Sequence, residues 1–365
     1  MDFTHTEERQ MVVDTLARYI QNEYNLSDRN DAAASTQGFS DAHWNNLAEL
    51  GMFGAFFTEE QGGFGGSAFD VAAVFQELGR GLVVEPLLDC VLRSGHVLAA
   101  AGDFERLAKV ITGASRYVVA QAHTTGDRVT AKQSEAGWIL NGTAPMVKFA
   151  AGADTIILSA QSGADAAQAS FFLIDPTANG VAITHHDTFD GGSASDIHFA
   201  DLAISSDALL GSAHHADTIV RTAENWACLA ICAEALGIME AIKETTLDYL
   251  RTRTQFGTVI GRFQALQHRM AQVLLEIEQA RSAVINAAAA MNKSEADCGK
   301  ALSAAKYSIG RIGTLVAEEA IQLHGGIGMT WEYEMGHFAK RLVMIDHEMG
   351  NADHHLARYM QFDLV

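Results

Sequence analysis

The spacing of the apolar residues changes twice along the 365-residue chain. Apolar side chains first recur every three or four positions, which is the pattern of amphipathic helices. A period of two follows, with short runs of β-branched and aromatic residues between turn residues. The helical period then returns and persists. We therefore predict an α+β chain with an N-terminal helical domain (1–113), a middle antiparallel β-barrel (114–213) and a C-terminal four-helix bundle (214–365).

The middle segment carries the signals of an antiparallel sheet. Asn141-Gly142 follows an apolar run and predicts a hairpin turn, because both residues tolerate positive φ. No helical runs separate the strand candidates, so a doubly wound α/β sheet is not expected, and a barrel or sandwich is. The strand candidates are Tyr117–Val119, Trp138–Leu140, Thr155–Leu158, Phe171–Ile174 and Ile197–Phe199.

The C-terminal segment contains a long apolar stripe at helical spacing. None of the three prolines of the chain lies in this segment, so its helices can run long and unkinked. Such a stripe indicates the core of a helical bundle. Its members are Leu266, Met270, Val273, Ile277, Ala280 and Val284.

The charge balance and the cysteines narrow the class of protein. The chain has 45 acidic and 25 basic side chains, and its formal net charge of −20 repels nucleic acid and anionic lipid. Four scattered cysteines make no disulfide framework and fit a reducing cytosol. The most apolar run, 226–242, contains Glu234 and Glu240, which favours a buried helix over a membrane span. Residues 1–8 are polar and acidic, unlike a signal peptide, so we expect a cytoplasmic location.

A metal site is not expected. His347-Glu348-Met349-Gly350-Asn351 begins like the H-E-x-x-H zinc helix, but Asn351 stands where the second histidine is needed. Cys228 and Cys232 lie four positions apart in an apolar stretch and are interpreted as buried small side chains, since no other soft ligand is near them in sequence.

A cationic segment lies where one predicted C-terminal helix ends and the next begins. Its sequence is Arg251-Thr252-Arg253-Thr254-Gln255-Phe256-Gly257, followed by Ile260–Gln264. A guanidinium group binds phosphate oxygens through a two-pronged fork, and Phe256 is able to cover a flat ring. Alternatively, Arg253 only makes a favourable electrostatic interaction with the dipole at a helix C-terminus. The residues alone leave both interpretations open.

A glycine-rich segment follows the last long helical run. Gln322-Leu323-His324 leads into Gly325-Gly326-Ile327-Gly328. Glycines let a backbone approach a ligand closely, and exposed N–H groups there suit phosphate. A plain turn between two helices is the alternative.

Together these segments resemble the acyl-CoA dehydrogenase family over essentially the whole chain. Each motif alone is moderately specific, but both occur at the family's separation and within a helix–barrel–helix order. The family's R-x-Q-F-G…F-Q element is matched by Arg253, Gln255, Phe256, Gly257, Phe263 and Gln264. Its Q-x-x-G-G-x-G element is matched by Gln322, Gly325, Gly326 and Gly328.

The resemblance implies an FAD-dependent oxidation of an acyl-CoA to the trans-2-enoyl-CoA, with electron-transfer flavoprotein as electron acceptor. A carboxylate removes the α-proton while the flavin takes the β-hydride. In this family the two matched elements reach across a dimer interface and hold the adenosine-pyrophosphate end of a flavin seated mainly in the neighbouring subunit. The cofactor-binding residues implied are Arg253, Gln255, Phe256, Gln264, Gln322, Gly325 and Gly326.

The chain departs from the family pattern at its own flavin seat and at the base. The T-E-x-x-x-G-S-D loop is replaced by Gln121–Asp127, and the W-x-T-N strand by Ala144–Lys148. The family's catalytic glutamate, placed before Gly-Thr, falls on Met349, with Glu348 one residue away. The alternative position of the base, on a helix, falls on Ala227. Glu348 is therefore the candidate base that this chain offers.

The retained and missing motifs resemble those of the flavin-poor partner in heteromeric acyl-CoA dehydrogenases that act on bulky CoA thioesters such as steroid side chains. This resemblance implies an α2β2 assembly with a homologous dehydrogenase subunit, one FAD per αβ pair and the base on the partner. Two alternatives stay open. One is a homotetramer that uses Glu348 as its base, and the other is a non-catalytic scaffold or regulatory subunit.

Overall fold

The computed structural model describes residues 6–121, 128–163 and 168–362. The chain divides into two compact units. The helical unit comprises Met1–Leu26, Ala68–Val83 and Cys228–Val365, and the sheet unit comprises Ser27–Ser67 and Val84–Ala227. Helices, strands and helices follow one another along the chain, as the periodicity predicts. The bounds given above for three domains stay predictions.

Eleven α-helices occur in the described residues, and three of them are long. Helices α7, α8 and α9 contain 37, 27 and 30 residues, and no proline interrupts them. The bounds are α1 (Glu7–Glu23), α2 (Leu26–Ala33), α3 (Asp41–Glu49), α4 (Ala68–Arg80), α5 (Ser94–Ala100), α6 (Phe104–Ile111), α7 (Ala216–Thr252), α8 (Gln264–Ala290), α9 (Glu295–His324), α10 (Glu334–His347) and α11 (Ala352–Gln361).

Two stretches that were expected to be buried are buried. Five members of the α8 stripe, Met270, Val273, Ile277, Ala280 and Val284, lie in the core. Helix α7 is long and apolar enough to cross a membrane, but 78% of its most apolar window is buried inside the protein. Cys228 and Cys232 on this helix are buried and not in a disulfide, and the pKa of Cys232 is raised well above its usual value by a hydrogen bond with Cys228 and by burial. The interpretation of α7 as a core helix is therefore confirmed.

Within the helical unit, α4 and α7 cross with their backbones in contact. A Cβ atom added at Gly237 of α7 would lie 1.8 Å from the carbonyl oxygen of Gln76. One added at Gly79 of α4 would lie 2.1 Å from the carbonyl oxygen of Glu234. Only glycine permits so close an approach at either position.

The sheet unit is built on an eight-stranded sheet in the part of the chain that the structure describes. The strands are β1 (Tyr117–Ala120), β2 (Thr130–Ser134), β3 (Gly137–Lys148), β4 (Thr155–Gln161), β5 (Ala169–Ile174), β6 (Val181–Asp187), β7 (Ser193–Ser205) and β8 (Leu209–Leu210). Their order is β6-β7-β3-β2-β4-β5-β8, with β1 paired to β4. All five strand candidates named above fall in these strands.

The sheet is mostly antiparallel, but β4 pairs in parallel with β1 and with β2. Tyr117 to Ala120 lie opposite Thr155 to Leu158 in that parallel register. The chain leaves β1, completes the β2–β3 hairpin and returns, so β4 runs in the direction of β1. Among the described residues the end strands β6 and β8 do not pair, so the expected barrel is observed as a sheet with two ends.

The predicted hairpin turn at Asn141-Gly142 is wrong, because both residues lie inside β3. The register with β7 shifts between Leu140 and Gly142, and Gly142 has a φ of +132°. The positive φ therefore serves a β-bulge and not a turn. Asn141 also bonds Asp201 of β7 twice, donating from Nδ2 to Oδ1 (3.0 Å) and accepting from the backbone N–H (2.8 Å).

Candidate functional site

A short hairpin directly follows α7 in the helical unit. Strands β9 (Thr254–Gln255) and β10 (Thr258–Val259) pair in antiparallel fashion around Phe256 and Gly257, which have φ values of +54° and +76°. Two successive positive φ values are typical of a type I′ turn. The hairpin carries Phe256 at its tip with 91% of its surface exposed.

The backbone of Arg253 is fixed at the base of this hairpin. Its N–H donates to the Tyr249 carbonyl (2.8 Å), and its carbonyl accepts from the Ile260 N–H (2.9 Å). Its side chain is exposed, and the residues that the structure describes give it no hydrogen-bond or ion-pair partner. Arg253 therefore presents a free guanidinium fork from a rigid backbone position.

The beginning of α8 lies against the hairpin tip. The ring of Phe263 meets that of Phe256 edge to face, with the centroids 6.2 Å apart. Gln264 is the first residue of α8 and is exposed, as is Gln255. The structure thus brings together the four predicted residues Arg253, Gln255, Phe256 and Gln264 on one exposed edge. We call this set the hairpin edge.

The glycine segment at the end of α9 is open to solvent. Gln322, Gly325 and Gly326 are all exposed. Gly325 caps α9 with a φ of +67°, and a Cβ atom added at Gly328 would lie only 3.1 Å from the Cβ of His324, so each of these has a reason within the chain to be glycine. Gly326 has neither, because its φ lies outside the left-handed region and no described atom lies within 4 Å of an added Cβ. Nothing in the described structure therefore requires a glycine at position 326.

His324 connects the glycine segment to the hairpin edge. Its ring stacks on Tyr249 of α7 (centroids 4.6 Å apart) and contacts Tyr333 (5.4 Å). Its Nδ1 lies 2.8 Å from the Ala320 carbonyl and donates to it. Burial lowers the pKa of this imidazole, so it is neutral at pH 7. Sequence reasoning missed His324, since its contact with Tyr249 joins two helices far apart in the chain.

Glu348 lies elsewhere, in a largely buried ionic triad. Its Oε1 is 2.6 Å from Nη1 of Arg341, and Arg341 also binds both carboxylate oxygens of Glu234, at 2.6 and 2.9 Å. The three side chains are only 11–14% exposed. A single guanidinium therefore holds two carboxylates, and Glu348 is engaged as one of them.

The loop after Glu348 is held through its backbone. Lys306 is fully buried, and its Nζ donates to the carbonyls of Asp346 (3.1 Å) and Gly350 (2.8 Å). Nε2 of His355 donates to the Met349 carbonyl (3.0 Å). Burial lowers the pKa of His355 to about 4, so its ring is neutral when it makes this bond. Met349 itself has a φ of +57°.

Comparison with known proteins identifies the family. The domain family described as acyl-CoA dehydrogenase, N-terminal domain, matches residues 6–112, and acyl-CoA dehydrogenase, C-terminal domain, matches residues 218–358. The acyl-CoA dehydrogenase IpdE2 of Mycobacterium tuberculosis (strain ATCC 25618 / H37Rv) is 30% identical over 340 residues, covering 93% of this chain and 92% of IpdE2. The chain belongs to the acyl-CoA dehydrogenase family.

Solved structures have the same fold as this acyl-CoA dehydrogenase. The ChsE4-ChsE5 complex from Mycobacterium tuberculosis contains a chain that matches with a TM-score of 0.89 and 24% identity, over 99% of this chain and 98% of that one. A variant of the Tcur3481-Tcur3483 steroid ACAD matches with a TM-score of 0.86 and 24% identity, over 98% of each chain. The predicted order of an N-terminal helical domain, a central β-sheet domain and a C-terminal helical domain is confirmed.

The acyl-CoA dehydrogenase family pattern is altered at three places in this enzyme. Ala144–Lys148 lies in β3 at a second register shift, where Met146 has a φ of +54° and is 57% exposed. Residues 122–127, which stand in place of most of the T-E-x-x-x-G-S-D loop, lie outside the described residues. Ala227, at the alternative position of the base, is fully buried and has only a methyl group.

Proposed function

We propose that this acyl-CoA dehydrogenase is the flavin-poor subunit of an α2β2 enzyme, together with a homologous dehydrogenase subunit. The complex would oxidise a bulky CoA thioester, of the kind that carries a steroid side chain, to the trans-2-enoyl-CoA. The observation that carries the proposal is that two motif features of the helical unit are exposed and unused by the chain itself: the open glycine at 326 and the guanidinium of Arg253, which has no hydrogen-bond or ion-pair partner among the described residues. Both face away from the chain's own core.

The residues of the hairpin edge and the glycine segment fit the adenosine-pyrophosphate end of FAD. Arg253 offers a planar fork to pyrophosphate oxygens. Gly325 and Gly326 leave the backbone accessible for close approach, and the amides of Gln255, Gln264 and Gln322 supply further hydrogen bonds. The exposed ring of Phe256 covers apolar surface of the cofactor or of the partner. FAD, when bound, supplies the acceptor for the hydride that leaves the β-carbon of the substrate.

The proton acceptor in this proposal belongs to the partner. Met349 and Ala227 stand at the two family positions of the base, and neither side chain takes up a proton. Glu348 is already paired with Arg341 at 2.6 Å, and an opposite charge at that distance disfavours protonation of a carboxylate. Removal of the substrate's α-proton by Glu348 would require this ion pair to be given up. A carboxylate on the other subunit meets no such obstacle.

The names of similar proteins support a heteromeric assembly and a steroid-related substrate. One solved relative is a ChsE4-ChsE5 complex, and another is described as a steroid ACAD formed by Tcur3481 and Tcur3483. By analogy, we propose that two different subunits share each flavin here and that electron-transfer flavoprotein accepts the electrons. In this proposal the partner supplies the base, and this chain contacts the adenosine-pyrophosphate end of the cofactor.

The flavin content of each assembly tests the proposal. Three preparations are compared: this chain alone, this chain co-expressed with a dehydrogenase-like chain encoded next to it, and that second chain alone as a control. Flavin absorbance per subunit is expected to give one FAD per αβ pair in the complex and little flavin in either chain alone. Full FAD occupancy in this chain by itself overturns the proposal.

A further inference from the structure

A second group of polar side chains lies in the sheet unit. Residues Leu87–Arg93 form a π-helical segment that runs directly into α5. Such wide helical turns are rare and often mark functional sites. This one places Arg93 and His96 three positions apart, on the same side of the helical segment.

His96 is buried in an aromatic environment without a partner for one of its nitrogens. The residue is 7% exposed. Its ring stacks on Trp226 with a centroid distance of 4.8 Å and an interplanar angle of 5°, and the ring of Phe57 lies 5.3 Å away. No described residue makes a hydrogen bond with Nε2. Burial lowers the pKa of His96 to about 3, so the imidazole is neutral.

Arg93, three positions before His96, is surrounded by hydrogen-bond acceptors. Arg93 donates to Glu224 from Nε (2.9 Å) and Nη2 (2.5 Å), and from Nη2 to Oε1 of Gln121 (2.9 Å). A second carboxylate, that of Asp89, lies 3.9 Å from Arg93. Because one guanidinium faces two carboxylates, an additional anion is disfavoured at this place. A neutral polar group is compatible with it.

We propose that His96 Nε2 recognises a neutral oxygen, a hydroxyl or a ketone, on the acyl group of the substrate. The faces of Trp226 and Phe57 provide the apolar surroundings for the hydrocarbon that carries this oxygen. An unmade hydrogen bond at a buried nitrogen is unfavourable, and an oxygen-bearing ligand removes that cost. The inference rests on the proposed function and narrows its substrate class to bulky acyl-CoA thioesters whose acyl group carries a hydroxyl or a ketone.

The test uses the full complex and compares two thioesters of the same carbon skeleton. One carries the hydroxyl or ketone oxygen on its acyl group, and the other lacks it. Dissociation constants are measured by calorimetry for the wild type and for His96→Phe, which keeps a ring in the stack and removes Nε2. The wild type is expected to bind the oxygenated thioester about tenfold more tightly, and His96→Phe is expected to lose this preference. Separate hydroxyl and ketone thioesters show whether Nε2 accepts or donates.

Binding and turnover separate the two proposals. Equal dissociation constants in the wild type, or a preference that survives in His96→Phe, overturn the role of His96. A His96-dependent preference without oxidation of either thioester supports that role and overturns the dehydrogenase assignment alone. Should His96→Phe fold poorly, His96→Leu also lacks a hydrogen-bonding atom at this place, and it too must lose the preference.

Discussion

The ring of His324 stacks on that of Tyr249 with their centroids 4.6 Å apart, and this contact joins the two segments that carry the predicted cofactor residues. Tyr249 lies one helical turn before Arg253 and accepts a hydrogen bond from its N–H. His324 directly precedes Gly325. This one ring contact therefore links the helix end that carries Arg253 to the helix end that carries Gly325 and Gly326.

Replacement of Arg253 by alanine should weaken FAD binding to the complex. A charge-assisted contact with phosphate is typically worth ~1.5–3 kcal/mol, which corresponds to a roughly 10- to 150-fold higher dissociation constant. Arg253→Lys should recover only part of the loss, because an ammonium lacks the planar fork. Equilibrium dialysis against free FAD measures both.

Arg251→Ala is the matched control, since Arg251 lies two residues earlier, is exposed and has a carboxylate of Asp248 at 3.9 Å. Similar values for Arg253→Ala and the control contradict the phosphate role.

A methyl group at position 326 should affect the cofactor but not the chain. Gly326→Ala meets no described atom within 4 Å, so the free energy of unfolding should change by less than about 0.5 kcal/mol. FAD affinity should fall at least about fivefold, because an added methyl in a closely packed contact costs ~1–3 kcal/mol. Gly237→Ala is the contrasting variant, in which the added methyl group should destabilise the chain itself. Its Cβ would lie 1.8 Å from the Gln76 carbonyl oxygen, so this variant should unfold at lower urea concentration. Unchanged FAD affinity in Gly326→Ala argues against a ligand at this turn.

Glu348→Gln distinguishes a structural carboxylate from a base. Arg341 keeps its two bonds to Glu234, and the glutamine oxygen still accepts from Arg341 but without a negative charge, so the weaker bond should cost about 1 kcal/mol of unfolding free energy. If the base lies on the partner, kcat of the complex should fall less than tenfold, whereas loss of a general base costs at least about 100-fold. A fall of that size, in a variant that still binds FAD, would favour the homotetramer that uses Glu348.

The helical unit should lose stability in mild acid through His355. Its pKa is about 4 in the folded chain, below the ordinary value of 6.5, so the unfolded chain binds the proton more tightly. The neutral ring therefore contributes fully above about pH 6.5, and the contribution is lost as the pH falls towards 4. A shift of this size corresponds to roughly 3 kcal/mol over the whole range, of which about 2 kcal/mol is lost by pH 5. Urea unfolding at pH 7 and pH 5 measures the change, and His355→Gln should show a smaller dependence on pH. An equal dependence in that variant would assign the effect to other groups.

Local patterns predicted the elements well because helices and strands depend on residues close in sequence. The α8 stripe from Met270 to Val284 and the strand candidates are examples. Asn141-Gly142 was misinterpreted because two residues that accept positive φ suit a bulge as well as a turn. The parallel pairing of β1 with β4 depends on how the chain returns after β3, and no local pattern records that path.

The motif residues of the candidate site were identified from the sequence, but their surroundings were not. Arg253 and Gly326 belong to recognisable motifs. The residues that contact the candidate-site side chains are distant in sequence or lie on another element. Tyr249 stacks on His324, and Arg341 donates a hydrogen bond to Glu348. Contacts between distant segments depend on packing, so their presence emerged only with the structure. The same holds for His96 and Trp226, which are unremarkable letters in the sequence.

The loop at Met349 is held by three hydrogen bonds to main-chain carbonyls, two from Lys306 and one from His355. None of them involves the Met349 side chain, so these bonds remain with any residue at that position that accepts a φ of +57°. A lineage could therefore lose a glutamate here, or regain one, by a single codon-level replacement without first rebuilding the loop. Duplicated subunits with such a loop are free to specialise, one keeping the acid and the other drifting to methionine, while both continue to fold and to assemble.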